Sequence, residues 1–351
     1  MKTISRRSFL ARCAALSAAA TVPAFFVRAA SKSGIAKPIT GSGEHTYECV
    51  HDWLLPPDGL VWGDTHGLCQ DAEGFIYVAH TVNKSSMRGE AVVVYDAAGQ
   101  FVRAFGEEFR GGAHGLNLRR EDGKELLYHC DINRCKIVKT TLAGEDRWEH
   151  AYPREDPAYA AAPINFVPTN VAFAPNGDFF VGDGYGSSHV LRFSAAGAYL
   201  GEVGGPGHDD GGFETPHGLW VDTRGAEPAL VVADRGNRRL QTFSLDGTHR
   251  RTIKDDTRLR MPCHFHQRGD LLVCPDLDSQ VCLLNREFEV VAQLGDGQAI
   301  NGKVGSRRDQ GRGDFTPGKF ITPHAAIFLA SGDILVAEWL PIGRLTLLRK
   351  V

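Results

Sequence analysis

Several familiar markers are missing or sparse in this chain of 351 residues. Methionine occurs three times against forty glycines. That balance argues against a helical bundle and for many short strands joined by tight turns, because glycine takes up positive φ without steric cost. No Cys-x-x-Cys pair occurs, which excludes a cysteine zinc knuckle. Excess basic charge is absent too: the formal net charge is −3, and lysine and arginine are scattered rather than striped, so no electrostatic footprint for nucleic acid is present. A long apolar run is also lacking. The one candidate lies between Arg12 and Pro23 and falls short of the ~20 residues that cross a bilayer.

That segment has another reading. Paired arginines (Arg6, Arg7), Phe9-Leu10 and an alanine-rich stretch ending near Ala29 or Ala30 resemble a twin-arginine export signal. The expectation is an export signal over 1–30, a linker over 31–44 and one folded domain over 45–351. The mature protein would then be periplasmic or secreted, with no membrane attachment once the signal is cleaved. Beyond Cys13 the chain has seven cysteines (49, 69, 130, 135, 263, 274, 282). An odd number leaves one unpaired in a monomer, and Cys130/Cys135 and Cys274/Cys282, each flanking a turn, are the local pairs an oxidising compartment would favour.

What is abundant is repetition. Six anchors, His66, His114, Asn170, His217, His264 and His324, recur at intervals of 47 to 60 residues. Each opens a short apolar strand such as "HGLWVD", followed by a turn and a second strand ending in a small or acidic group: "FIYVAH", "LLYHCD", "DFFVGD", "ALVVAD", "LLVCPD", "DILVAE". A third and a fourth strand follow. Four strands in a unit of this length are the signature of a propeller blade. Six such sheets set radially cover one another's faces where one alone cannot. The fold class is therefore all-β, a six-bladed β-propeller. Its last repeat stops after three strands at Val351, and "HTYECVHDW", 45–53, is the segment available to close the ring. Two connections, 144–168 and 295–323, are long enough to act as binding loops.

In such a blade the first strand lines the channel and the second runs back, so the start of one and the end of the other share a face. The anchors then circle one axis at the channel mouth, beside His80, Asp131, Asp183, Tyr185, Asp234, Arg235, Asp276 and Glu338. Blades two, four and six stand a third of a turn apart and supply His114, His217 and His324. Three imidazoles converging in this way would hold a metal and leave coordination positions open. His66, Asn170, His264 and His266 are additional channel residues, and spacing alone leaves a mixed ligand set open.

The stretches "VPTNVAFAPNGDFFVGDGYGSSHVLRFSAAGAYLGEVGG", "GGFETPHGLWVD" and "LVVADRGNRRLQTFSLDG" resemble NHL-repeat propellers. More narrowly, they resemble the peptidyl-α-hydroxyglycine α-amidating lyase family, most strongly over 166–250. The resemblance implies a catalytic zinc on His114 ("AHGL"), His217 ("TPHGL") and His324 ("TPHAA"), with other divalent metals and a calcium ion elsewhere left open. It implies a catalytic tyrosine at Tyr185 and an active-site arginine at Arg235. Cleavage of the C–N bond of an α-hydroxy amide, on a small-molecule or peptide substrate and by a monomer, is the activity implied. The pattern departs at Thr81, where a second arginine belongs and Lys84 and Arg88 are out of register. It departs again at Thr322, usually methionine, and at Ala325, where the family has an acidic calcium ligand. The rival reading is a non-catalytic NHL propeller that binds a protein, peptide or glycan on its top face. A sugar-lactone hydrolase would carry acidic or asparagine calcium ligands where this chain has histidines.

Overall fold

A computed structural model describes residues 37–154, 159, 166–302 and 307–351. The expected export signal lies outside them. Strands Thr65–Gln70, Ile76–His80, Val92–Tyr95 and Phe101–Phe105 form blade one; Ala113–Glu121, Lys124–Asp131, Lys136–Thr141 and Asp146–His150 form blade two. Blade three is Asn170–Phe173, Phe179–Asp183, His189–Phe193 and Tyr199–Val203. Blade four is Pro216–Asp222, Ala229–Asp234, Arg239–Phe243 and His249–Ile253. Blade five is His266–Arg268, Leu271–Asp276, Gln280–Leu284 and Val290–Leu294. Blade six contributes Pro323–Phe328, Ile334–Glu338 and Arg344–Lys350. The chain is a six-bladed β-propeller. Within the sixth sheet His45–Val50 lies antiparallel beside Arg344–Lys350, with Tyr47 opposite Lys350 and Val50 opposite Leu347, and Ile39–Ser42 adds a fifth strand outside it.

Why the strands read as unbroken apolar runs is visible in Val92–Tyr95, all four of which are buried. Successive side chains of a strand point to opposite faces. Val93 and Tyr95 pack with Ile327, Leu335 and Leu347 of blade six, while Val92 and Val94 pack with Leu116, Leu127 and Val138 of blade two. Both faces are dry, so both parities are apolar. Six such clusters occupy the six junctions between blades.

Two expectations need correction. The connection 144–168 is not wholly a loop, because Asp146–His150 is the outer strand of blade two, where Trp148 packs in the cluster shared with blade three. All seven described cysteines are free thiols. Cys274 and Cys282 do face each other across adjacent strands. However, the Cys282 thiol donates to the carbonyl of Arg258 at 3.1 Å, and that of Cys135 to Ile132 at 3.6 Å.

Candidate metal centre

The ladder between the first and second strands slips by one residue where the anchor stands. Register shifts fall between Thr65 and Gly67, Ala113 and Leu116, Pro216 and Leu219, and Pro323 and Ala325. A bulge turns a side chain away from its regular face. Here it takes His66, His114, His217 and His324 out of the junctions between blades and points them at the axis.

Glycine completes the arrangement. A Cβ on Gly115 would lie 2.5 Å from the carbonyl oxygen of Thr169, and one on Gly218 would lie 2.5 Å from that of Cys263. Those are the same oxygens that His114 Nδ1 and His217 Nδ1 reach, at 2.8 and 2.7 Å. The His-Gly pair is therefore one device. Glycine lets adjacent inner strands approach, and the approach lets each imidazole bond the next blade's backbone.

A carbonyl oxygen can only accept, so Nδ1 carries the proton in both rings and Nε2 is left with its lone pair. His324 repeats the pattern, with Nδ1 donating to the carbonyl of His66 at 3.0 Å. The three ring centroids stand 4.7 to 4.9 Å apart, and the Nε2 atoms of His114 and His217 are 3.3 Å apart. Burial, helped by the Arg235 guanidinium and by neighbouring imidazoles, holds all three rings far below the ordinary histidine range, His114 at about 3. Buried, neutral nitrogens this close call for a cation between them, and the groups whose ligand atoms lie within 4.8 Å of one another are His66, His114 and His324, and His217, Cys263 and His324. Orienting each ligand through its other nitrogen is how metal-binding histidines are held. The residues fit a divalent metal.

Tyr185 closes the site from above. Its hydroxyl lies 3.2 Å from His114 Nε2 and 3.0 Å from His217 Nε2, while its ring stays partly open to solvent. It reaches blade four because Gly184 is pressed against the Pro216 carbonyl, where a Cβ would sit at 2.4 Å. Burial of the hydroxyl raises the phenol above its usual range, and the guanidinium of Arg235, 5.3 Å over the ring, opposes that rise. Arg235 forms no ion pair with any described carboxylate. Its backbone N–H is held by the carbonyl of Thr215 at 3.2 Å, a β-branched residue at φ 57°. That backbone conformation is strained, and such strain gathers at functional sites.

The other channel candidates go elsewhere. Asn170 donates to Asn117 and accepts from the Leu219 N–H, both at 3.1 Å, so it ties three blades together. His264 borders the small space beneath the imidazoles. His266 points away from the site, accepting the Phe328 N–H at 3.2 Å and packing against Trp220. The acidic groups are not at the channel either. Asp131, Asp183, Asp234, Asp276 and Glu338 are fully buried, and each accepts backbone N–H groups of the loops around it. Asp183, for example, holds Val167 and Ser187, Asp276 holds Arg260 and Met261, and Glu338 holds Ile321. They set the loops that carry the site rather than joining it.

One charged group went unread in the sequence. Arg308, in the connection before blade six, pairs with Asp64 at 2.6 Å and lies 3.4 Å over the Trp339 ring. Its charge is felt by both His66 and Tyr185. Arg88, by contrast, is held by Glu90 at 2.5 Å. Residues 303–306 are not described, and nothing in a Gly-rich loop signals which of its arginines turns inward.

No protein-family model matches the chain. Over 153 residues it is 31% identical to a probable peptidyl-α-hydroxyglycine α-amidating lyase of Caenorhabditis elegans, covering 39% of each chain. Over 233 residues it is 26% identical to peptidyl-α-hydroxyglycine α-amidating lyase 1 of Drosophila melanogaster, covering 58% of this chain and 42% of that one. Over these stretches the chain is similar to the amidating lyases. It matches about two fifths of the length of these curated relatives. In fold the propeller is similar to a streptogramin B lyase structure, with a TM-score of 0.58 at 13% identity over 88% of this chain and 98% of that one. It is also similar to the virginiamycin B lyase of Staphylococcus aureus, with a TM-score of 0.54 at 12% identity over 87% and 100%. At that identity the likeness speaks for the propeller alone. Among the described residues no helix is long and apolar enough to cross a membrane.

Proposed function

We propose that this protein is an exported, metal-dependent lyase similar to the amidating lyases, cleaving the C–N bond of an α-hydroxy amide. The observation that carries the reading is the Tyr185 hydroxyl, within hydrogen-bond distance of two imidazole Nε2 atoms and beside a guanidinium, that of Arg235, with no carboxylate partner among the described residues. His114, His217 and His324 would hold the metal, zinc by the family resemblance. When bound, the metal supplies Lewis-acid polarisation of the substrate hydroxyl. Tyr185 takes the hydroxyl proton as the oxygen's electrons form the new carbonyl. The C–N bonding pair passes to nitrogen, which takes the proton back from Tyr185. The products are an amide and an aldehyde, and the tyrosine ends as it began. Arg235 favours the phenolate that this shuttle requires and steadies charge developing on the substrate.

The substrate is a small molecule or peptide that enters from the open side of Tyr185, and the protein acts as a monomer. The twin-arginine-type segment supports export to the periplasm or beyond. The experiment is metal analysis of purified protein together with turnover of a peptidyl-α-hydroxyglycine. About one metal ion per chain is expected, lost in His217→Ala. Tyr185→Phe should keep the metal and lower kcat by ~10²–10⁴-fold. Metal-free wild-type protein of intact fold would instead favour the non-catalytic binding propeller.

A further inference from the structure

A fourth imidazole, that of His66, stands beside two members of the ligand trio of the proposed function. His66 brings its Nδ1 to 3.3 Å from His324 Nε2. Its ring centroid stands 4.5 Å from that of His324 and 4.7 Å from that of His114. Ligand atoms of these three residues lie within 4.8 Å of one another. We infer that His66 is a fourth protein ligand, acting through Nδ1. The site is then an all-imidazole, four-nitrogen centre for a borderline divalent metal. The inference rests on the metal-site reading above.

Cys263 is the competing candidate, since its Sγ forms a second cluster with His217 and His324. It stands on the wrong side of His217. The sulfur is 3.3 Å from Nδ1, the nitrogen already donating to the Cys263 carbonyl, whereas the free lone pair is on Nε2, which faces His114. The thiol is also fully buried, and burial keeps it protonated and a poor ligand. His66 offers a nitrogen that faces the other imidazoles directly.

The chemical consequences are specific. Four neutral nitrogens, with no carboxylate or thiolate, select zinc, copper(II) or nickel(II) over calcium and magnesium. The substrate hydroxyl of the proposed reaction would then enter as a fifth ligand, an expansion that catalytic zinc sites can make.

The test is X-ray absorption spectroscopy on the zinc-loaded full-length chain, with zinc affinity measured by chelator competition. Four imidazoles are expected around the metal in the wild type and three in His66→Ala. The affinity of that variant should fall by at least the ~10–100-fold that even an outer-shell partner is worth. His66→Gln retains a polar side chain if the alanine variant folds poorly, and the imidazole count should fall to three there also. Three imidazoles in the wild type, or a count unchanged in the variants, overturns the inference and leaves the proposed trio standing. A wild-type chain that binds no zinc overturns both.

Discussion

The His-Gly device can be tested without any substrate. In Gly218→Ala the new Cβ would sit 2.5 Å from the Cys263 carbonyl oxygen and 2.7 Å from His264 Cα. Both are backbone atoms of blade five, so no side chain can swing aside. Relief requires blades four and five to part by roughly 0.9 Å, the difference between 2.5 Å and ordinary 3.4 Å contact. That movement would stretch the 2.7 Å bond from His217 Nδ1 to the same oxygen beyond hydrogen-bonding range. Overpacking costs about 1–3 kcal/mol, and an imidazole N–H left without its acceptor costs about 1–3 kcal/mol more. The expected loss is therefore about 2–6 kcal/mol, read as the change in urea midpoint at constant slope. Zinc affinity should fall by ~10–100-fold, because the ligand has lost the bond that orients it. Gly313→Ala, where a Cβ meets nothing within 4 Å, is the matched control. A Gly218→Ala protein with wild-type midpoint and wild-type zinc affinity would refute the reasoning.

Other expectations concern the scaffold. Glu338 and Arg344 form a buried ion pair, so Glu338→Ala should cost about 3–5 kcal/mol by stranding the guanidinium, measured by chemical denaturation. Metal-free protein should be acid-labile. His80, His114, His129 and His264 are held by burial at about 3, below the ordinary value of about 6.5. The unfolded chain therefore binds more protons between those limits, and folding stability must fall as pH drops from about 6.5 towards 3. Each such imidazole contributes about 1.4 kcal/mol per pH unit in that window. A flat stability profile from pH 7 to 5 would contradict the buried, neutral cluster.

Much of the site was readable because a propeller turns sequence period into angular position. A histidine repeated at the start of five inner strands must circle the axis, and alternate blades put His114, His217 and His324 at one end of the channel. The Asp-Gly-Tyr and Ala-Asp-Arg turns were legible in the same way, as ends of second strands on that face. The same logic misjudged Asp131, Asp183, Asp234, Asp276 and Glu338. Strand polarity puts them at the correct end of the blade. Whether a carboxylate there faces the channel or the loop depends on which unpaired N–H groups lie nearby, and those belong to residues distant in sequence.

What the sequence by itself determined is the ring: six repeats, apolar on both strand faces, with an imidazole at each of five inner-strand starts. Only the packed structure decided which imidazoles converge. Asn170 was drawn off by Asn117, His266 by the Phe328 N–H, and His66 was turned onto His324. These outcomes depend on bulges of a single residue and on carbonyls of the adjoining blade at contact distance, neither of which a linear pattern of residues encodes.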